Sequence, residues 1–182
     1  MKAALVGIGN IMFNDDGLGV YAAKYLEENF TMPPYIDIVD GGTLGFKLMT
    51  YYQEYDYVCI LSTTSEGEIP GEVFHFTNEE LLDHGSCRQS ANEVEVVQML
   101  EICSILDEEM AEVDIVAMKP EDIIPVEANL TQTVQDAMPV MIERTVQLLA
   151  SKNIVLVPKE EKLSLQAVIE HYANPTFATH QY

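Results

Sequence analysis

Near the N-terminus, glycines and carboxylates are interleaved in the run Gly7-Ile8-Gly9-Asn10-Ile11-Met12-Phe13-Asn14-Asp15-Asp16-Gly17-Leu18-Gly19. Glycines directly after a strand permit a tight turn whose amides hold a pyrophosphate at a helix N-terminus. That chemistry is opposed here. Met12 stands where the third glycine of the fingerprint would pack helix on strand, and Asp15 and Asp16 would set two negative charges beside the phosphates. Asn and Asp at such a place also cap helices, because they accept hydrogen bonds from unpaired first-turn amides. One aspartate can cap while the other faces the crevice beyond the strand ends, where open α/β sheets bind ligands. A carboxylate in that crevice is a hard oxygen ligand for a cation, or an acid/base group. A second run, Asp40-Gly41-Gly42-Thr43-Leu44-Gly45, ends at the same sheet edge and is expected to bring Asp40 towards the same crevice, with Thr43 capping the next helix. A third, Ser62-Thr63-Thr64-Ser65, offers hydroxyls that bind a peptide backbone or cap the chain.

The elements that must position these residues are legible in the apolar pattern. Lys2 to Ile8 is a nearly continuous apolar strand, as expected where both sheet faces are covered. Gly17 to Glu28 carries apolar residues at helical spacing, and Pro33-Pro34 precede a second strand, Tyr35 to Val39. Leu44 to Tyr52 reads as a helix and Tyr57 to Leu61 as a third strand. In Glu72 to Thr77, alternation sets Phe74 and Phe76 on one face and Val73 and His75 on the other, with Pro70 and Gly71 marking a sheet edge. Asn92 to Leu106 places Val96, Met99, Leu100, Cys103 and Leu106 on one helical face. Val113 to Met118 is a further strand, and Thr131 to Ala150 a helix expected to bend or break at Pro139. Ile154 to Val157 is a last strand or a docking strip, and Leu163 to His171 is weakly helical. Alternating strands and helical crossovers predict an α/β fold, a three-layer α/β/α sandwich around a mostly parallel twisted sheet.

Composition narrows the function. The 182 residues hold 9 Lys+Arg against 30 Asp+Glu, a net charge of −21, with 48% hydrophobic residues. That much apolar surface supports a packed core rather than a disordered acidic chain. From Leu48 to Met118 the one Lys or Arg is Arg88, among sixteen acids. Nucleic acid and anionic membrane surfaces are therefore excluded as partners. No stretch approaches a membrane span or an uninterrupted signal-peptide core, and Cys59, Cys87 and Cys103 form no CxxC pair. The expected compartment is the cytoplasm, with reduced thiols.

Together, Gly7-x-Gly9-Asn10, Asp15-Asp16-Gly17-x-Gly19-Val20 and Asp40-Gly41-Gly42-Thr43-x-Gly45 resemble the maturation endopeptidases of nickel-iron hydrogenases. Leu130-Thr131-Gln132-Thr133-Val134 is similar to that family's Leu-Thr-Pro segment, and the resemblance covers residues 1–158, leaving 159–182 as a C-terminal extension. It implies a domain that recognises a nickel-loaded hydrogenase large-subunit precursor and removes its C-terminal extension. The metal would arrive with the substrate, with no resident cofactor. In the family an acidic residue at the position of Asp16, an aspartate after the third strand and a histidine before the fourth main helix bind the metal. Asp16 matches, whereas the other two positions fall on Ser62 and, in Ser90-Ala91-Asn92, on Asn92. The resemblance assigns catalysis to Asp16 and a supporting or proton-transfer role to Asp40. With two ligands replaced, the alternative is a relative that binds a precursor or another protein without cutting it. His84, Cys87 and Glu93 are further candidate ligands near the changed positions, His75 is expected to be structural, and His171 and His180 lie in the extension.

Overall fold

Residues 1–42, 45, 47–83, 91–106 and 110–173 are described by a computed structural model of the chain. The strands β1 (Ala3–Ile8), β3 (Ile36–Gly42), β4 (Tyr57–Thr63), β5 (Val73–Thr77) and β6 (Glu112–Met118) form one sheet in the order β3-β1-β4-β6-β5. The first four are parallel, and β5 closes the edge antiparallel to β6. Every residue of β1 and β4 is buried, as their continuous apolar sequence requires of inner parallel strands. In-register partners such as Leu5 with Ile38 and with Cys59 share a face, so alternate residues feed two separate apolar layers.

Helix α1 (Leu18–Asn29) and α5 (Gln132–Ser151) cover one face, where Ala3, Leu5, Cys59 and Leu61 meet Tyr21, Leu26, Met138 and Leu149. Helix α2 (Lys47–Glu54) and α4 (Ala91–Leu106) cover the other, where Val6, Val58 and Ile60 meet Leu48, Tyr52, Val96 and Leu100. The short α3 (Asn78–Asp83) follows β5 and contacts α4. The expected three-layer sandwich is thus the observed one. None of the described helices is long and apolar enough to cross a membrane.

One expectation changes. Helix α5 runs unbroken through Pro139, because Val134, Met138, Met141, Ile142 and Leu149 are buried on both sides of it. That continuous apolar contact outweighs the one helical hydrogen bond proline cannot donate. The stretch expected as a last strand or docking strip packs down: Ile154 and Leu156 are buried, and β7 (Val157–Pro158) pairs antiparallel with a two-residue strand β2 (Phe30–Thr31) that the sequence had not revealed. Helix α6 (Leu165–Ala173) then docks on α1 through Val168 and Ile169. Asn29, fully buried at the end of α1, secures it by accepting the Leu163 N–H at 2.7 Å and donating to the Leu163 carbonyl at 3.2 Å.

At the sheet end opposite the strand C-termini, Asp114 is buried between three partners. His75 Nε2 lies 2.7 Å from its Oδ1, the Tyr57 hydroxyl donates to Oδ2 at 3.0 Å, and Lys152 Nζ stands 3.5 Å from Oδ2. The expected structural role of His75 is this contact. Burial pushes the Asp114 carboxyl upward, but hydrogen bonds from His75 and Tyr57 and the positive charge of Lys152 outweigh it, leaving the group below the ordinary carboxylate range. A carboxyl depressed in the folded state stabilises the fold fully above the unfolded value of about 4, and this contribution disappears as pH falls through the lower folded value. Acid denaturation followed by circular dichroism is expected to show this loss below about pH 4. Asp114→Asn should remove that part of the pH dependence while lowering stability at neutral pH by about 1–3 kcal/mol.

Candidate functional site

The strand order reverses between β1 and β4, since the chain passes from β1 to β3 on one side and then to β4 on the other. Open sheets bind ligands at the C-terminal edge of such a reversal. Immediately after β1, Gly9 takes φ +139°, and a methyl group there would collide with the carbonyl oxygen of Asp16. Gly19, in the first turn of α1, lies so close to the carbonyl oxygens of Leu61 and Ile8 that a side chain would strike both. These glycines thus serve close backbone packing of the 3-10 turn Asn14–Gly17 and of α1 on the sheet edge. They account for the first motif without a phosphate, against the dinucleotide reading.

The packing sends the two aspartates in different directions. Asp15 is fully buried and accepts four hydrogen bonds, from the amides of Glu121 (3.0 Å), Asp122 (3.0 Å) and Thr131 (2.7 Å) and from the Thr131 hydroxyl (2.9 Å). It ties the loop between β6 and α5 to the turn, while the Thr131 side chain caps α5. Asp16 is half-buried, at the end of the turn that leads into α1. Its Oδ2 accepts the Asn10 amide at 2.9 Å, and its Oδ1 accepts Asn92 Nδ2 at 2.9 Å. Asn92, in the first turn of α4, also places Nδ2 at 3.4 Å from Thr63 Oγ1 at the end of β4. Asp16 and Asn92 therefore converge, with Asn10 and Thr63 beside them.

Ser62 is one residue away but turned towards the α4 layer, paired in register with Ala117. It is 3% exposed, its hydroxyl has no hydrogen-bond partner, and it lines a cavity of about 200 Å³ between β4, β6, β5 and α4. The adjoining Thr64 and Ser65 are held by Glu93, which accepts from Thr64 Oγ1 (2.5 Å), the Ser65 amide (2.8 Å) and Ser65 Oγ (2.7 Å). Of the two roles open to the hydroxyls of this segment, Thr64 and Ser65 thus take the local one. Glu93 clamps the exit of β4 to α4.

Asp40 borders Asn10, the residue whose amide donates to Asp16. Its register position beside Gly7 places it on the α1 face of the sheet, where it lines a shallow depression with Gly9, Asn10, Val20 and Gly42. Ser62 and Asn92 belong to the opposite face, so Asp40 shares only Asn10 with the Asp16 centre. A one-residue parity difference decides this, and the motif spacing does not encode it. Thr43, His84, Cys87, Ser90 and His180 lie outside the described residues. His171 sits at the end of α6 against Tyr172. Cys59 and Cys103 are fully buried, and burial pushes the Cys59 thiol up to about 12, which removes it as a nucleophile.

The hydrogenase maturation protease family model matches residues 20–148, most of the chain. The chain belongs to the hydrogenase maturation protease family. The hydrogenase 2 maturation protease of Escherichia coli is 26% identical over 161 residues, spanning 88% of this chain and 98% of that protein. The hydrogenase expression/formation protein HupD of Rhizobium leguminosarum is 24% identical over 171 residues, spanning 93% and 85%. Among solved structures, the E. coli hydrogenase maturating endopeptidase HybD superposes with a TM-score of 0.79 at 25% identity, over 87% of this chain and 98% of that one. HybD of Thermococcus kodakarensis gives 0.67 at 25%, over 81% and 99%.

Within this family member, the three positions offer one carboxylate, one amide and one hydroxyl. Asn92 turns its N–H₂ group to Asp16, and an amide N–H is a donor rather than a lone pair for a metal. No group of three or more His, Cys, Asp or Glu able to hold a metal is found among the described residues. The arrangement does not fit a tightly held nickel or zinc ion, which prefer imidazole and charged ligands. Isothermal titration with nickel chloride is expected to give only weak binding. The variant Asn92→His should tighten it by about tenfold, since the backbone already brings Asp16 and position 92 together.

Proposed function

We propose that this chain cuts the C-terminal extension from the large-subunit precursor of a nickel-iron hydrogenase, in the cytoplasm. The metal arrives in the precursor and belongs to the substrate. The observation that carries this reading is the Asp16 carboxylate, held at both oxygens between Asn10 and Asn92 in a chain that matches the maturation protease family model over most of its length.

In this reading Asp16 faces the precursor's metal centre and supplies the site's one charged oxygen ligand. Asn92 takes the place of a ligand but acts as a positioning residue, fixing the Asp16 carboxylate by donating to Oδ1. Asp40 bounds the other side of Asn10 and supports the rim of the crevice on the α1 face. Asp15 acts at a distance from the substrate by fastening the loop that follows β6.

Purified chain incubated with a nickel-loaded precursor is expected to yield a shortened large subunit, read by mass spectrometry. Asp16→Asn should slow shortening by about tenfold to a hundredfold, the scale of one lost interaction with a charged group. Asp40→Asn should have a smaller effect. Precursor captured without shortening would instead mark a chain that holds its partner without cutting it.

A further inference from the structure

The loop between β6 and α5 carries four consecutive apolar residues, Ile123-Ile124-Pro125-Val126, that the Asp16 centre does not use. Such a run in an irregular segment is ordinarily buried, and where it stays exposed it marks a contact surface. The loop does bury its apolar neighbour Leu130, yet Ile123, Ile124 and Val126 remain 41%, 82% and 72% exposed. Met12 and Phe13, in the turn after β1, are exposed as well, at 52% and 40%. The backbone joins the two segments: Phe13 forms a parallel bridge with Glu127, and the Asn14 amide donates to the Glu127 carbonyl at 2.9 Å. Five exposed apolar side chains thus share two adjoining segments at the C-terminal edge of the sheet.

Both segments are held in place. Asp15 accepts the Glu121 and Asp122 amides, and the Asp122 carboxylate accepts the Ile124 amide at 3.0 Å. In the turn, Asn10 accepts the Met12 amide on its side chain and the Phe13 amide on its carbonyl, each at 3.0 Å. The same Asn10 donates its own amide to Asp16. One residue therefore fixes both the Asp16 carboxylate and the backbone under Met12 and Phe13. Apolar side chains on a fixed backbone lose little entropy when a partner covers them. Glu121 and Glu127, exposed on the same loop, give the patch the polar rim of a protein interface.

We infer that Met12, Phe13, Ile123, Ile124 and Val126 form a docking surface for an apolar segment of the large-subunit precursor. The identity of the occupant rests on the proteolytic reading, in which the precursor's metal centre meets Asp16. A precursor seated at Asp16 lies across the turn from Asn10 to Asp16, whose exposed apolar members are Met12 and Phe13. The bridge to Glu127 continues that contact onto the loop. With one charged oxygen at the metal-facing positions, the metal itself supplies a weak hold, and burial of apolar area beside it supplies the rest.

The test is capture of the nickel-loaded precursor, purified with its C-terminal extension from the organism that makes this chain, on the immobilised full chain. Ile124→Asp and Val126→Asp should each weaken capture by about tenfold, the scale of one lost anchoring side chain. Ile105→Asp is the matched control: Ile105, near the end of α4, is also 82% exposed, lies outside both segments and receives the same added charge. It should leave capture unchanged. Circular dichroism and thermal unfolding of all three variants should match the unsubstituted chain, since exposed side chains contribute little to stability. In the shortening assay the loss should appear in KM and not in kcat. Unchanged capture in both loop variants, or an equal loss in Ile105→Asp, overturns the docking surface. So does sedimentation showing a dimer that Ile124→Asp dissociates, which would give the surface to a second copy of the chain. Shortening at the ordinary rate by both loop variants overturns the surface and leaves the proteolytic reading standing. Capture that depends on Ile124 without any shortening would remove that reading alone.

Discussion

The site depends on how closely the N-terminus of α1 and the turn before it lie against the ends of β1 and β4. At Gly19 a helix backbone sits directly on the carbonyl oxygens of two neighbouring strands, and at Gly9 the chain makes room for the Asp16 carbonyl. Any side chain at either place would lift the helix away from the sheet. The Asp16 side chain would then lose the Asn10 amide and its reach to α4 together. A packing constraint measured in fractions of an ångström thus decides whether the site has a charged group in it at all.

Two carboxylates other than Asp16 hold the borders of the site. Asp15 gathers four donors from a loop more than a hundred residues away in sequence, and Glu93 gathers three from the segment after β4. Each turns an irregular segment into a fixed wall, because a charged acceptor with several donors is costly to open. The floor between these walls is the alternating apolar pattern of parallel strands, buried on both sides. Loops carry the chemistry here, and they are rigid because the carboxylates beside the reactive one are consumed in structure.

Much of the fold was readable from local pattern. The apolar runs of β1, β4 and β6, the periodicity of α4 and the punctuation before β5 depend on neighbours a few residues apart, so a single sequence displays them. The convergence of Asp16 with position 92 was legible only through resemblance, since 76 residues separate them. Three features were hidden. The face occupied by Asp40 depends on strand register, the partners of Asp15 depend on a distant loop, and the continuity of α5 through Pro139 depends on what its apolar face meets. Each is decided by tertiary contact, which composition and spacing do not record.

The two hydrogen bonds on Asp16 also bear on how a substrate is received. A lone carboxylate at a crevice rim samples several rotamers and must be ordered when a ligand arrives, at an entropic cost. Here the Asn10 amide and the Asn92 side chain have already arrested that motion. Folding itself completes the preorganisation. The same neutral donors temper the electron density on the carboxylate oxygens, so the site trades strength of attraction for sharpness of geometry. A partner is therefore selected by how well its own centre meets a stationary oxygen, rather than by how strongly it can draw one in.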